Sequence, residues 1–284
     1  MPRRGTTALS EDRLGVQIHC LRHEVARGLE ATLDGIAALG LRAVEMVSLP
    51  GCRGNRWGDF GAAADRSARE LSTALRAAGL ACPGTIVYGH ELVPERRAAT
   101  FQWVGELGCP RIVLAMLATG TTPTGPAPTR DDWQRAFDDF ALLAASMRAA
   151  GLEPVVHTQP DLWRRAGDYL PADELPLRAR AGNYRVAFDP TGLVIHGGDG
   201  PASLQAFGPS IYALHLRDGT TPPEPTFYIP AQPLGEGDFD WPACLRAATP
   251  FRPWQFLEME VADPPLTWAA LRSSLAYLRA LPPN

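Results

Sequence analysis

Lysine does not occur in this chain. All 27 basic residues are arginine, so no side-chain amine can form a Schiff base with a carbonyl substrate or with pyridoxal phosphate, which excludes a whole class of barrel chemistry. Cysteine is sparse and scattered: Cys20, Cys52, Cys82, Cys109 and Cys244 are odd in number and never form a C-x-x-C pair, a usage that suits a reducing cytoplasm. No apolar run approaches the length of a membrane span, and the opening "MPRRGTTALSEDR" carries positive charge without an apolar core, so a soluble, unexported protein with no membrane partner is expected. A net charge of −4 and a pI near 5.9 leave no basic footprint for a phosphate backbone, and nucleic acid is not an expected partner. No G-x-G-x-x-G follows the first apolar strand, which weakens a dinucleotide-binding reading.

The chain does have 284 residues, 45% of them hydrophobic, enough for one large core. Residues 1–12 read as a loose tail and 13–284 as a single domain. Within the domain, strand-like runs alternate with helical ones eight times. Strands are expected over 14–19, 41–47, 80–88, 111–117, 152–157, 184–189, 211–216 and 254–260. Helices are expected over 24–39, 62–78, 94–107, 131–150, 201–208, 241–248 and 267–281, with a polar helical stretch after the fifth strand. Several helices stop at a glycine just before the next strand, as in "AALGLRAVEM", "RAAGLACPG" and "RAAGLEPVV", the expected left-handed helix ending. Near-continuous apolar strands joined by helices imply a parallel sheet covered on both faces. Eight units point to an α/β fold, a closed (β/α)8 TIM barrel; a doubly wound open sheet is the alternative on pattern alone.

Barrel chemistry gathers at the C-terminal ends of the strands, and that is where the ionisable residues fall. His19, Glu45 and His90 come at or just past strands one to three, His157 and Asp189 at strands five and six, His215 at strand seven, and Glu258 with Glu260 at strand eight. His157, Asp189, His215 and Glu258 come from four successive strands and combine two imidazoles with two carboxylates. That donor set suits a divalent ion such as Mn, Co, Fe or Zn, whereas Mg prefers more oxygen. Each residue also has a plainer reading: "FDPTG" is good turn chemistry around Asp189, and a strand-end His can bond a loop carbonyl. As a set, the four read as a metal site. Arg217, His196, His19, Glu45, His90 and Glu260 are the candidate substrate-binding groups, Arg217 either holding a substrate oxygen or pairing with a neighbouring acid. Asp218 reads as a partner of Arg217 or a loop cap. The long Pro-rich segment 219–237, with Phe227 and Tyr228, reads as a lid or as a contact in a homo-oligomer. Trp57 either walls the mouth or packs locally.

Carried on "LGVQIHCLR", "TLDGIAALGLRAVEM", "RVAFDPTGLV", "LHLRDG", "LGEGDFDWPACL" and "FLEMEVADPP", the chain resembles the xylose-isomerase-like barrels of sugar phosphate isomerases and epimerases. The resemblance covers nearly the whole chain in order, and "HLRDG…LGEGDFDW" is its most specific part. It implies a metal at the mouth held by acidic and His residues of strands five to eight, with Asp189, His215 and Glu258 as three ligands and a strand-five Glu normally completing the set; in this chain His157 is the expected fourth ligand. It also implies a divalent-metal-dependent isomerase or epimerase of carbohydrate metabolism, acting on a ketose or cyclic polyol ketone through an enediolate. Glu258 is the ligand and base, and His157 the second acid–base group. The strand-five segment "PVVHTQPDLW" departs from the family's H-N-H-x-x-E form: Gln159 replaces the second His and Leu162 stands at the Glu. The alternatives are a dehydratase of the inosose or dehydroshikimate type, or a catalytically degenerate barrel serving as a binding or partner subunit.

Overall fold

The computed structural model describes residues 11–52, 60–117, 125–221, 226, 229–260 and 264–282. Eight parallel strands close into a barrel in sequence order: Leu14–Gln17 (β1), Ala43–Val47 (β2), Thr85–Val87 (β3), Arg111–Leu114 (β4), Glu153–His157 (β5), Arg185–Phe188 (β6), Ile211–Leu216 (β7) and Trp254–Leu257 (β8). The pairing of β1 with β8, Gly15 opposite Phe256, closes the ring and decides against the open sheet. The helices are Arg22–Arg27 (α1), Leu29–Ala38 (α2), Leu49–Cys52 (α3), Ala68–Ala77 (α4), Pro94–Glu106 (α5), Arg130–Ala149 (α6), Pro171–Gly182 (α7), Thr191–His196 (α8), Gly200–Phe207 (α9), Trp241–Ala248 (α10) and Thr267–Ala280 (α11). None of the described helices is long and apolar enough to cross a membrane.

Local chemistry sets the boundaries. Ser67 and Thr129 open α4 and α6 through reciprocal capping boxes with Glu70 and Asp132, and the Asp199 and Asp240 side chains cap α9 and α10, each satisfying N–H groups that the first turn leaves without partners. Gly40, Gly79 and Gly151 adopt φ of 82°, 69° and 78° at helix ends, as the G-before-strand pattern requires. Two expectations change. The helix over 24–39 is split at Gly28, whose extended backbone ends α1 and starts α2. The helix over 62–78 begins only at Ala68, because Ser67 caps there and a 3-10 turn precedes it. Every strand but the seventh is shorter than its apolar run. In β1 the reason is visible: the Gln17 side-chain oxygen Oε1 accepts the His19 N–H at 2.7 Å and caps a 3-10 helix that ends the strand. Glu11 and Asp12, assigned by sequence to the tail, make surface ion pairs with Arg279 and Arg252.

Side-chain alternation decides what the barrel interior holds. Gly15 faces inward, and a Cβ there would lie 2.5 Å from the Ala43 carbonyl and 2.9 Å from the Phe256 ring, so Phe256 fills the space a larger residue would need. Period two along each strand then sends Gln17, Glu45, His215 and Glu258 to the same inner side, one step nearer the mouth. Between β6 and β7 the register slips, from Val186 opposite Ile211 to Ala187 opposite Ala213. The extra β7 residue brings Ala213, and with it His215, onto the inward face. Around the barrel, Trp133, Phe137 and Phe140 of α6 and Trp241 of α10 are fully or nearly fully buried, each stabilising the shell by about 1.5–3 kcal/mol.

Candidate metal centre at the barrel mouth

Four side chains from β5 to β8 converge. The His157, Asp189, His215 and Glu258 donor atoms all lie within 4.8 Å of one another. His215 Nδ1 lies 2.7 Å from Glu258 Oε2 and 3.2 Å from His157 Nε2, and His157 Nε2 lies 3.6 Å from Asp189 Oδ2. Donor atoms bound about 2.0–2.2 Å from one ion lie at most about 4.4 Å apart, so the observed spread needs adjustments of a few tenths of an ångström. The two imidazole nitrogens face each other, and buried Glu258 Oε2 has no aligned hydrogen-bond donor. Electron pairs thus converge where a cation would be satisfied by all of them. The donor set, two nitrogens and two carboxylates, fits a borderline divalent ion.

Each member is held by local structure. The Asp189 N–H donates to Thr158 Oγ1 at 2.7 Å, tying β6 to β5, while Asp189 Oδ1 accepts the Thr191 N–H at 2.6 Å. The aspartate therefore serves the "FDPTG" turn with one oxygen and presents the other to the cluster. Burial opposes charge on Asp189, but the Arg217 guanidinium and His157 outweigh it and hold the carboxyl well below the usual range. Glu258 continues the β8 ladder through its N–H to the Leu216 carbonyl at 3.0 Å. Burial likewise opposes charge on His215, but Glu45 and Glu258, one on each side of the ring, raise its pKa well above the ordinary value.

The remaining candidates fall into three places. Arg217 is buried above the cluster; its NH1 lies 3.1 Å from Glu258 Oε1, 3.7 Å from Asp189 Oδ2 and 3.8 Å from Glu260 Oε2. Trp241 Nε1 donates to the Arg217 carbonyl at 3.0 Å and fixes its backbone. His19 sits in the turn after β1 and pairs with Glu260 past the neighbouring β8, while His90, exposed, stacks on Tyr88 with ring centroids 5.9 Å apart. All of these line a mouth cavity of about 380 Å³, with Gln17 and Gln159. Two candidates are not in that lining. Glu45 is wholly buried beneath His215, its Oε2 2.8 Å from His215 Nε2, below the reach of a substrate. His196 stands in a separate, larger flank groove of about 810 Å³ beside Trp163 and Gly198, a groove that contains no cluster residue. α8 carries it past the strand end and away from the mouth.

Leu162, at the position of the family's Glu, is buried in the core, and the strand-five place in the cluster is occupied by His157 itself. Asp218 is a loop clamp: its carboxylate accepts the N–H groups of Gly219, Gly235 and Phe239 at 3.0, 2.9 and 3.2 Å, which is the physical content of the "HLRDG…LGEGDFDW" pair. Trp57, Phe227 and Tyr228 lie outside the described residues. Sequence reasoning passed over Gln17 and Tyr88, and gave Gln159 little weight. Gln159 Oε1 accepts the Leu117 N–H at 2.6 Å, which fixes its amide orientation. Period two from His157 was the available signal.

Comparison with known proteins agrees with this geometry. The family model of the xylose isomerase-like TIM barrel matches residues 33–281. No curated protein matches the chain. Among solved structures, a sugar phosphate isomerase/epimerase from Parabacteroides distasonis superposes with a TM-score of 0.74 at 16% identity, covering 99% of both chains. A D-psicose 3-epimerase gives 0.65 at 15% identity over 95% of this chain and 99% of its own. A probable 3-DHS dehydratase involved in petrobactin synthesis from Bacillus anthracis gives 0.66 at 12%, over 94% and 98%. At such identities the likeness is one of fold.

Proposed function

Because the chain belongs to the xylose isomerase-like TIM barrel family, we propose that it is a divalent-metal-dependent isomerase or epimerase acting on a ketose or a cyclic polyol ketone. The observation that carries this reading is the convergence of His157, Asp189, His215 and Glu258 at the floor of the mouth cavity. A bound divalent ion of the Mn, Co, Mg, Fe or Zn type supplies Lewis acidity that makes the C–H beside a carbonyl acidic. The chain's own residues do the rest. Glu258 takes that proton, and Arg217, 3.1 Å from its other oxygen, holds the carboxylate in place. His157 cannot both hold an ion through Nε2 and accept a proton there, so proton return falls to the His19–Glu260 pair, which lies beside Glu258 at the ends of the paired strands β1 and β8. Tyr88, His90, Ile86 and Met116 supply an apolar and aromatic side against which the C–H face of a sugar ring can lie while its hydroxyls point to Gln17, Gln159 and the cluster.

A dehydratase is the second reading. It is favoured by the unlike proton carriers: a carboxylate base beside a His-containing pair suits removal of a proton and protonation of a β-hydroxyl leaving on the same side. The test is metal analysis of the purified protein, followed by solvent deuterium exchange on a panel of ketoses and inososes. Exchange with interconversion supports the isomerase, exchange with loss of water the dehydratase. No stoichiometric divalent ion, with no metal-dependent thermal shift, overturns both and leaves a barrel that only binds.

A further inference from the structure

Glu45 is wholly buried on β2, where a carboxylate is costly without a partner. Neither of its oxygens has an aligned hydrogen-bond donor among the described residues. The one cationic group against it is the His215 imidazole, whose Nε2 lies 2.8 Å from Glu45 Oε2. The opposite ring nitrogen, Nδ1, faces Glu258 Oε2 at 2.7 Å and His157 Nε2 at 3.2 Å. A neutral imidazole has one N–H, and a ligand nitrogen must be bare, so the two carboxylates compete for a single proton. The competition is unequal. Glu258 also has Arg217 Nη1 at 3.1 Å, whereas Glu45 has no second cationic partner among the described residues.

We propose that Glu45 is a positioning residue: it accepts the Nε2–H of His215, and so keeps Nδ1 as the metal-binding atom and holds the ring facing the mouth. The inference rests on the reading that the four-residue cluster holds a divalent ion. Glu45 is absent from the cavity lining and does not touch substrate. Its carboxylate acts through the ring, as outer partners of metal-binding imidazoles do. Phe256, edge-on to the His215 ring with centroids 6.4 Å apart, closes the space from below.

Mn2+ binding by calorimetry tests this on the full chain and on Glu45→Gln and Glu45→Leu variants, with the thermal midpoint of each metal-free protein as the folding control. Glu45→Leu weakens Mn2+ binding by about 100-fold and Glu45→Gln, which keeps an acceptor but loses the charge, by about tenfold, the range for removing such a partner. If the leucine variant does not fold, the glutamine variant carries the test. In the Zn2+-loaded protein, 15N spectra of labelled histidine show His215 protonated at Nε2. Wild-type affinity in the folded variants, or an Nδ1 proton in the loaded protein, overturns the role of Glu45 while leaving the metal site standing. A wild-type protein that takes up no Mn2+ or Zn2+ overturns the site reading first, and this inference with it. A raised KM with unchanged Mn2+ affinity makes Glu45 a substrate contact and overturns the positioning role.

Discussion

The two halves of the barrel mouth are built from different chemistry. Strands β5 to β8 deliver His157, Asp189, His215, Arg217, Glu258 and Glu260, while the rim past β3 and β4 delivers Ile86, Tyr88, Ala115 and Met116. One half can hold an ion and move protons; the other offers a surface for C–H groups. Two residues cross this division in opposite ways. His19 follows β1 but joins the ion-binding half by pairing with Glu260 past the neighbouring β8, and Glu45 stays below the floor and reaches His215 from beneath. A division of labour by strand therefore holds for what touches a substrate, and fails for what supports the residues that do.

The sharpest way to break the comparison is to remove the ion-binding half. Asp189→Ala or His215→Ala is expected to weaken divalent-metal binding by more than about 100-fold, beyond the 10–100-fold cost of losing a supporting residue. Unchanged metal content by elemental analysis would place the site elsewhere. His157→Gln is expected to abolish solvent deuterium incorporation into a ketose or cyclitol ketone. Continued exchange at the wild-type rate would release His157 from the site.

Proton linkage gives a smaller, graded effect. Folding raises the His215 pKa, so the metal-free protein keeps this imidazole protonated well above pH 6.5, and binding an ion at Nδ1 must displace that proton. Apparent metal affinity then rises with pH by up to about tenfold per unit until the folded-state pKa is passed. The same shift gives the metal-free fold stability that is fully present below about pH 6.5 and is lost as pH rises through the raised value. Calorimetric titrations from pH 6 to 9 read the first effect and thermal midpoints the second; flat profiles would remove His215 from the cluster's proton balance.

The apolar half should respond in the opposite sense. Tyr88→Ala is expected to raise KM by up to about tenfold, the value of an aromatic contact of about 0.5–1.5 kcal/mol, with metal affinity unchanged. A Tyr88 variant that loses the ion instead would erase the distinction between the halves. Gln159→Ala should cost least, about 1 kcal/mol for one hydrogen bond or about fivefold in KM, and a loss as large as that of His157→Gln would move Gln159 into the proton-transfer machinery.

Much of this was legible from periodicity. Eight apolar runs, the glycines at 40, 79 and 151, and the strand-end positions of His157, Asp189, His215 and Glu258 are one-dimensional signals, because alternation and helix endings are local properties of the backbone. Closure of the sheet does not follow from that count, because a doubly wound open sheet has the same parallel strands and helical crossovers; the β1–β8 pairing decided it. The pairings across the barrel have no such local signature. Nothing near residue 45 in the chain marks Glu45 as lying under a histidine 170 positions later, nor His19 as the partner of Glu260, nor Asp218 as the clamp on Gly235 and Phe239. His196 shows the converse, a histidine near a strand end that α8 carries out to the flank. Which residues can supply the chemistry was settled by composition and spacing along each strand. Which face the mouth, which support from beneath and which miss the site was decided only when closure, the register slip between β6 and β7, and the Phe256 packing against Gly15 brought distant strand ends together.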